Sequence, residues 1–316
     1  MKIGIRYFSG CGHSRWVALK AKKKMSEIGH SVLFCRSIEE PAKDDFLSVD
    51  AELFIFPVYF FGLPSNVISY LKMLPVVASK PAILWVTDGG MSGVSRRSGC
   101  FWLKDRGYEV ISTREIVMPD SFLGLKSSQV TPEQQNAILS QADEKIGEYL
   151  KDFDAPPPKV PLESFLRSFS CGIVYFIYLY LLKASLTRCF VASKSKCTKC
   201  NQCIKNCPVH CLRMKEGLPS WGSGCVGCFR CINSCPACAI DFSGVGLLFG
   251  ITGGFCGFLL LGLIPFSSWF FSLVGLLSGF YAGTLLFQKI YQRFPENGLL
   301  FKDRKRIVAH FTEKDL

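Results

Sequence analysis

A twelve-residue pattern occurs twice, as CTKCNQCIKNCP over residues 197–208 and CVGCFRCINSCP over residues 225–236, 28 positions apart. Three sulfurs at i, i+3 and i+6 come from one tight loop and surround one small volume. The fourth, followed by proline, is turned away from them. Four soft ligands packed so closely, twice over, are expected to hold something. Zinc is the simpler occupant of CxxC pairs, but it takes four tetrahedral ligands, usually from two separated knuckles. A third cysteine three residues on would be redundant there, and a Cys-Pro ending would have no role.

Eight of the 16 cysteines lie in these runs; Cys11, Cys35, Cys100, Cys171, Cys189, Cys211, Cys238 and Cys256 are scattered through apolar segments. A secreted disulfide framework would be shorter and evenly stapled. The N-terminus, MKIGIRYFSG, reads as a strand and not as a signal peptide. Both point to a reducing compartment with thiolates kept for metal. Cys211 and Cys238 read as small buried hydrophobes, and His210 as a neighbour of the ligands.

Up to residue 152, short apolar runs alternate with helical stretches. Residues 2–8, 31–35, 51–58, 81–87 and 108–118 are strand candidates, with helices at 14–28, 64–74, 92–106 and 131–151. Near-continuous apolar strands alternating with helices predict a parallel sheet covered on both faces, and five of them fit a small α/β doubly wound domain. Three loops leave the carboxyl ends of these strands, where open α/β sheets bind ligands. They are SGCGHSR (Ser9, Gly10, Cys11, Gly12, His13, Ser14, Arg15), the loop with Tyr59, Phe60, Phe61 and Gly62, and the loop with Asp88, Gly89 and Gly90. The first feeds a helix N-terminus, which offers backbone N–H groups to a phosphate; the aromatic residues suit stacking on a flat ring. It is neither a GxGxxG turn nor a Walker loop.

Residues 153–192 form a Pro-rich linker, FDAPPPKVP, and an apolar helix. Its fifteen uncharged residues (168–182) give about 22 Å of helix, short for a bilayer core of roughly 30 Å. The helix is expected to lie along a membrane surface, with Tyr175, Phe176, Tyr178 and Tyr180 at the interface. After Asp241 no charge appears until Lys289. Residues 245–264 and 269–287 each have the length of a membrane span, joined by PFSS, and their many small residues suit close helix packing in lipid. A buried hairpin in a soluble core is the alternative, but little chain remains to wrap two such helices. The region 243–288 is expected to be a transmembrane hairpin and 289–316 a basic cytoplasmic tail.

The cysteine spacing resembles that of two-cluster bacterial ferredoxins, in which the fourth cysteine of each run ligates the other cluster. The resemblance implies that Cys197, Cys200, Cys203 and Cys235 hold one 4Fe-4S cluster and Cys225, Cys228, Cys231 and Cys207 the second, within a small α+β domain over 193–242. Residues 1–152 look like a flavodoxin-like domain, and 1–242 together resemble flavodoxin–ferredoxin fusion proteins of anaerobes. Flavodoxins grip the phosphate of FMN with Ser/Thr-x-Thr-Gly-Asn-Thr/Ser. Here Ser9, Gly12 and Ser14 match, while Cys11 and His13 stand where Thr and Asn are usual. The lost hydroxyl at Cys11 predicts looser flavin binding.

Residues 1–155 carry 19 Lys and Arg against 18 Asp and Glu, and residues 156–316 carry 18 against 7. The excess has work to do without nucleic acid. Two clusters would carry about −4 with their thiolates, offset by Lys194, Lys196, Lys199, Lys205 and Arg230. Lys289, Arg293, Lys302, Arg304, Lys305 and Arg306 place the end of the second span in the cytoplasm. The expected function is membrane-anchored electron transfer between the clusters, a flavin site and redox partner proteins, with membrane lipid as the other partner. The alternatives are a flavin-dependent reductase of a small molecule or corrinoid, and an iron–sulfur carrier whose flavodoxin-like domain is an empty docking module.

Overall fold

The computed structural model describes residues 1–40, 48–120, 131–157, 164–262 and 269–293. The chain divides into two compact units, with the division between Tyr175 and Phe176.

In the first unit five strands form where the apolar runs predict them: β1 (Lys2–Tyr7), β2 (Ser31–Ser37), β3 (Ala51–Pro57), β4 (Lys80–Asp88) and β5 (Tyr108–Val117). They pair in the order β2-β1-β3-β4-β5, every pair parallel. This is the flavodoxin-like order, which reverses once, between β1 and β3. The crossovers carry α1 (His13–Glu27), α2 (Ser65–Met73) and α3 (Ser95–Asp105), and α4 (Pro132–Tyr149) follows β5. Thr131 starts α4 with a capping box: its hydroxyl accepts from Gln134 N and Gln134 Oε1 accepts from Thr131 N.

Alternate strand residues enter opposite layers. Ile3, Ile5, Leu53, Ile55, Ile83 and Trp85 meet Trp16, Val17 and Met25 of α1 and Ala142 and Ile146 of α4. On the other face Phe54, Phe56 and Leu84 are fully buried, and Gly99 of α3 rests on Leu84. That face also holds a buried ion pair. Arg6 Nε lies 2.7 Å from Glu52 Oε2, and Glu52 Oε1 accepts from the Tyr108 hydroxyl at 3.3 Å. The Arg6 guanidinium also sits over the Phe34 ring. Phe34 closes over Gly4, where any Cβ would enter the ring.

The chain leaves α4 through a 3₁₀ turn, Leu150–Phe153. Buried Asp152 accepts there from Ser112 Oγ at 2.5 Å and from Arg114 Nε and Nη2, both at 2.7 Å. Next in the chain is α5 (Phe165–Ile177). Tyr175 packs on Gly62 and donates its hydroxyl to Leu63 O. Tyr178 is buried too, its hydroxyl against Gly227. The expectation that both tyrosines face a membrane is therefore corrected: their hydroxyls and rings are taken up by loops of the protein. Phe169, Phe176 and Tyr180 are exposed.

The second unit repeats itself at the cysteine spacing. Left-handed residues recur 28 apart: Lys199 and Gly227, Asn201 and Phe229, His210 and Cys238. Asn201 and Phe229 each precede a one-turn helix, α7 (Gln202–Lys205) and α8 (Arg230–Asn233). The strands β6 (Phe190–Ala192), β7 (Leu212–Lys215), β8 (Leu218–Trp221) and β9 (Ile240–Phe242) pair as β6 with β9 and β7 with β8. The first half, β6 and β7, thus finds its partners in the second half, β8 and β9. Each half is incomplete in its backbone hydrogen bonds until the other folds.

From β9 the chain enters α9 (Gly244–Gly262), and α10 (Trp269–Arg293) packs along it. Ser243 caps α9, accepting on Oγ from Gly246 N at 3.2 Å. A methyl group at Gly253, Gly257, Gly275, Gly279 or Gly283 would run into a backbone carbonyl of the facing helix. Both helices are long and apolar enough to cross a membrane, with mean hydropathy 2.0 over Gly244–Leu261 and 1.3 over Ser272–Tyr291. Only 17% and 22% of these windows are buried. The PFSS turn, Lys159–Pro161 of the linker and the tail with Lys302, Arg304, Lys305 and Arg306 lie outside the described residues.

Glu52→Ala tests the buried pair. Leaving the Arg6 guanidinium buried without its carboxylate is expected to destabilise the first unit by about 3–5 kcal/mol. Denaturant unfolding of the full chain in detergent checks this, with Glu109→Ala on the exposed side of β5 near neutral.

Candidate functional site

Two places gather chemistry-bearing side chains, one in each unit. The first is a cleft at the carboxyl ends of β1, β3, β4 and β5. It is lined by Ser9, Gly10, Cys11, His13 and Ser14 from the first loop, Tyr59 from the second, and Asp88 and Gly89 from the third. Gly12 is the left-handed N-cap residue of α1, at φ 107°. Its N–H donates to Ser9 Oγ at 3.0 Å, and Ser14 Oγ pairs with Thr87 Oγ1 at 2.8 Å. The Ser9–Ser14 segment thereby wraps the N-terminus of a fifteen-residue helix, an arrangement favourable to an anion.

Other predicted residues fall elsewhere. Arg15 turns toward Tyr7 and Cys35 at the β1–β2 side and is not in the cleft wall. Tyr59 and Gly62 close a tight turn through 59 N–H to 62 O and 62 N–H to 59 O. Phe60 (φ 48°) and Phe61 (φ 68°) are its left-handed central residues, positions that normally favour Asn and Gly. Phe60 points to solvent, and the Phe61 backbone lies against Gly93, accepting from Val94 N at 2.7 Å. Neither ring lines the cleft, nor do Gly62 and Gly90; Gly90 instead donates its N–H to Asp88 Oδ1 at 2.6 Å. The sequence reading missed Met118, Pro119 and Asp120, which complete the wall. They follow β5, so the strand-end rule applied to the fifth strand would have found them.

The cleft holds two groups pushed toward neutrality. Burial lowers the His13 imidazole to about 4. Burial also raises Asp88 to about 7, and the neighbouring Glu115 carboxylate adds to it. Glu115 in turn accepts from Ser92 Oγ at 2.5 Å. At neutral pH the histidine is an uncharged imidazole, and Asp88 is a carboxyl able to hold or release a proton. The loop backbone and helix end suit an anion such as a phosphate, and Tyr59 is the one predicted aromatic residue in the cleft wall.

The second place is built from both cysteine runs. Cys197, Cys200 and Cys203 of the first run and Cys235 of the second line a single cavity. Burial raises the Cys203 thiol, and the like-charged neighbours that add to it are Cys235, Cys197 and Cys200. Cys235 Sγ accepts from Ala239 N at 3.2 Å. In the other half Cys231 is raised by burial and then by Cys228, with Cys207 also near enough to contribute. Trp221 Nε1 donates to Cys231 Sγ at 3.4 Å. Cys211 is not a buried hydrophobe: its sulfur lies 3.6 Å from Cys207 Sγ and it also hydrogen-bonds Cys225. Cys238 is exposed, and His210 occupies a left-handed turn position.

All sixteen cysteines are free thiols. Among the described residues no three His, Cys, Asp or Glu side chains converge closely enough for a single metal ion. Four sulfurs around one cavity, with backbone N–H and indole N–H groups directed at cysteines of both runs, suit a polynuclear group larger than one ion. The residues present therefore fit such a group, with the first set drawn from both runs.

No family model and no curated protein matches the chain. Solved structures similar to the first unit include flavodoxin 1 from Bacillus cereus (14% identity, TM-score 0.35, 48% of this chain and 98% of that one). Flavodoxin 2 from Bacillus cereus is 17% identical (TM-score 0.37, 49% and 98%). A cysteine-to-serine variant of a Pseudomonas aeruginosa flavodoxin is also 17% identical (TM-score 0.35, 49% and 100%). The fold assignment of the first unit rests on strand order and register, not on these likenesses.

Asp88 has a testable signature. Its folded-state proton affinity is above the ordinary value of 3.8. The stability it contributes is therefore full below about pH 4 and is lost as pH rises toward 7. Asp88→Asn is expected to gain up to about 4 kcal/mol over the parent between those pH values, with no further change above 7. His13 runs the opposite way in both proteins and cancels in the difference. Denaturant unfolding of the full chain across this range measures it; a pH-independent difference would mean that Asp88 is ionised throughout.

Proposed function

We propose that the chain is a membrane-anchored electron-transfer protein of the cytoplasmic face, holding two 4Fe-4S clusters in the second unit and FMN in the first. The observation that carries this reading is the cavity shared by Cys197, Cys200, Cys203 and Cys235, which joins sulfurs 38 residues apart in the crossed arrangement the spacing implies. The second set would be Cys225, Cys228, Cys231 and Cys207. When bound, FMN exchanges two electrons together or one at a time, whereas each cluster exchanges one.

What the chain itself does follows from its side chains. The α1 N-terminus and the Ser9–Ser14 backbone would take the phosphate, Tyr59 would pack on the ring, and the neutral His13 adds no charge. Trp221 and the Ala239 N–H direct hydrogen bonds at Cys231 and Cys235, which tunes the electron density on those sulfurs. Covalent linkage of both units replaces diffusional encounter by a high effective concentration. The hairpin would put both its ends in the cytoplasm, with Lys289 following the second apolar run. Redox partner proteins and membrane lipid are the partners in this reading, and nucleic acid has no role.

A second reading is favoured by Asp88: a flavin-dependent reductase of a small or corrinoid acceptor, in which that carboxyl supplies a proton. Loss of turnover with such an acceptor in Asp88→Asn, with cluster reduction unchanged, would select it.

Anaerobically prepared protein is expected to contain about eight iron and eight acid-labile sulfide per chain. Because Cys211 lies against Cys207 and Cys225, Cys207→Ser alone leaves a nearby thiol. The double substitution Cys207→Ser with Cys211→Ala is expected to fall to about four iron, losing one cubane signal in electron paramagnetic resonance, while Cys211→Ala alone keeps both. Two intact cubane signals in the double variant would sink the crossed assignment.

Residues 245–264 and 269–287 should keep the full chain in the membrane fraction. Truncation after Ser243, which keeps all of β9, is expected to leave a protein that holds both clusters and binds membranes less. Full-length protein recovered monomeric without detergent would refute the hairpin.

A further inference from the structure

We propose that a cavity in the second unit binds the headgroup of an anionic phospholipid. The inference rests on the membrane reading above and on neither cofactor. The cavity is bounded by the α6–β6 turn (α6, Lys183–Thr187), the tip of the β7–β8 hairpin and the end of α10. Arg188, Lys194 and Lys215 line it against a single carboxylate, Glu216. Its floor is Gln288 and Tyr291, at the end of the second apolar window. The cations therefore collect where a span would leave the hydrocarbon, the position at which basic pockets attract anionic headgroups.

Arg188 is the most specific element. Its Nη2 donates to the Tyr281 hydroxyl at 2.9 Å, and the guanidinium lies 4.2 Å over the Tyr281 ring. The other side is left over: Arg188 Nη1 is buried and has no hydrogen-bond acceptor among the described residues. A buried guanidinium N–H without an acceptor is costly, and a phosphate oxygen satisfies it with a charge-assisted bond. Lys215 is set beside it by a tight turn in which Glu216 and Gly217 are both left-handed, at φ 52° and 79°. The aromatic wall, Phe190 and Trp221, suits the glycerol and upper acyl region. On α10 exposed Leu286 and Ile290 continue the apolar path for the chains. Tyr291 is not a ligand in this scheme, because its hydroxyl is spent on Ala192, accepting from its N–H and donating to its carbonyl, both at 2.7 Å. A neutral ring such as a quinone would use the aromatic wall but offer Arg188 Nη1 no anionic oxygen.

The test uses full-length protein in a neutral detergent. Short-chain phosphatidylglycerol and phosphatidylcholine are titrated separately, read by tryptophan fluorescence and by native mass spectrometry of retained lipid. One phosphatidylglycerol per chain is expected to be held in preference to phosphatidylcholine. Arg188→Ala and Lys215→Ala should each weaken it about fivefold, the factor given by about 1 kcal/mol per basic residue near the surface. Arg188→Lys should recover part of the loss. Lys215 is an exposed hairpin residue, so its substitution reads binding even if Arg188→Ala disturbs the fold. Insertion of all variants into phosphatidylcholine vesicles reports the hairpin separately. No preference for phosphatidylglycerol, or a preference that Lys215→Ala leaves unchanged, would overturn the proposal. So would equal binding of inorganic phosphate alone, or saturation by a short-chain quinone in place of the lipid. Failure to enter vesicles at all would remove the membrane reading and this proposal with it.

Discussion

The exchange between the two halves of the cysteine-bearing unit governs the rest of its structure. β6 pairs with β9 and β7 with β8, and Cys235 joins three sulfurs of the other run at one cavity. Backbone pairing and sulfur placement therefore depend on the same event. A three- or four-residue strand is too short to persist alone. Neither half has a stable state of its own, and folding of this unit has to be cooperative across the whole of 190–242. The left-handed residues at 28-residue spacing bend the chain beside the cysteines in both halves.

The strand-end cleft follows a different principle. An open parallel sheet covered on both faces buries β3 throughout and leaves its polar chemistry to the loops. There the protein accepts local costs: two phenylalanines in left-handed conformation, a buried imidazole and a carboxyl whose proton affinity is raised. Strained backbone and displaced proton affinities within one set of loops are what a binding or reacting site tends to retain. The covered faces, by contrast, hold paired charge (Arg6 with Glu52, Asp152 with Arg114) or apolar side chains.

Much of this was legible in the residues. The five strands announced themselves by apolar runs between helical stretches, and the C-terminal helices by length and hydropathy. The crossed cysteine assignment rests on the resemblance of the spacing to two-cluster ferredoxins, and spacing alone says only that three sulfurs of one run lie close together. Orientation was not legible. Phe60 and Phe61 looked like stacking residues, but the hydrogen bonds of the Tyr59–Gly62 turn set their direction, and no composition rule predicts phenylalanine there. Arg15 looked like part of the cofactor-binding loop; its position on α1 turns it to Tyr7 and Cys35. Cys211 looked like filler, since its contact with Cys207 and Cys225 depends on how two loops 28 residues apart meet. Tyr175 and Tyr178 suited an interface by type and were claimed by Leu63 and Gly227 instead.

The junction between β9 and α9 is one residue long. Ser243 donates its N–H to Cys189 O at 2.8 Å and caps the helix that follows, while Tyr291 ties the far end of the hairpin to Ala192. No tether separates the sulfur-bearing fold from the apolar helices. In a bilayer such a unit could not swing out on an arm to reach a partner. It would ride at a fixed height and tilt, and meetings with other membrane proteins would reduce to lateral diffusion in two dimensions, with orientation already settled.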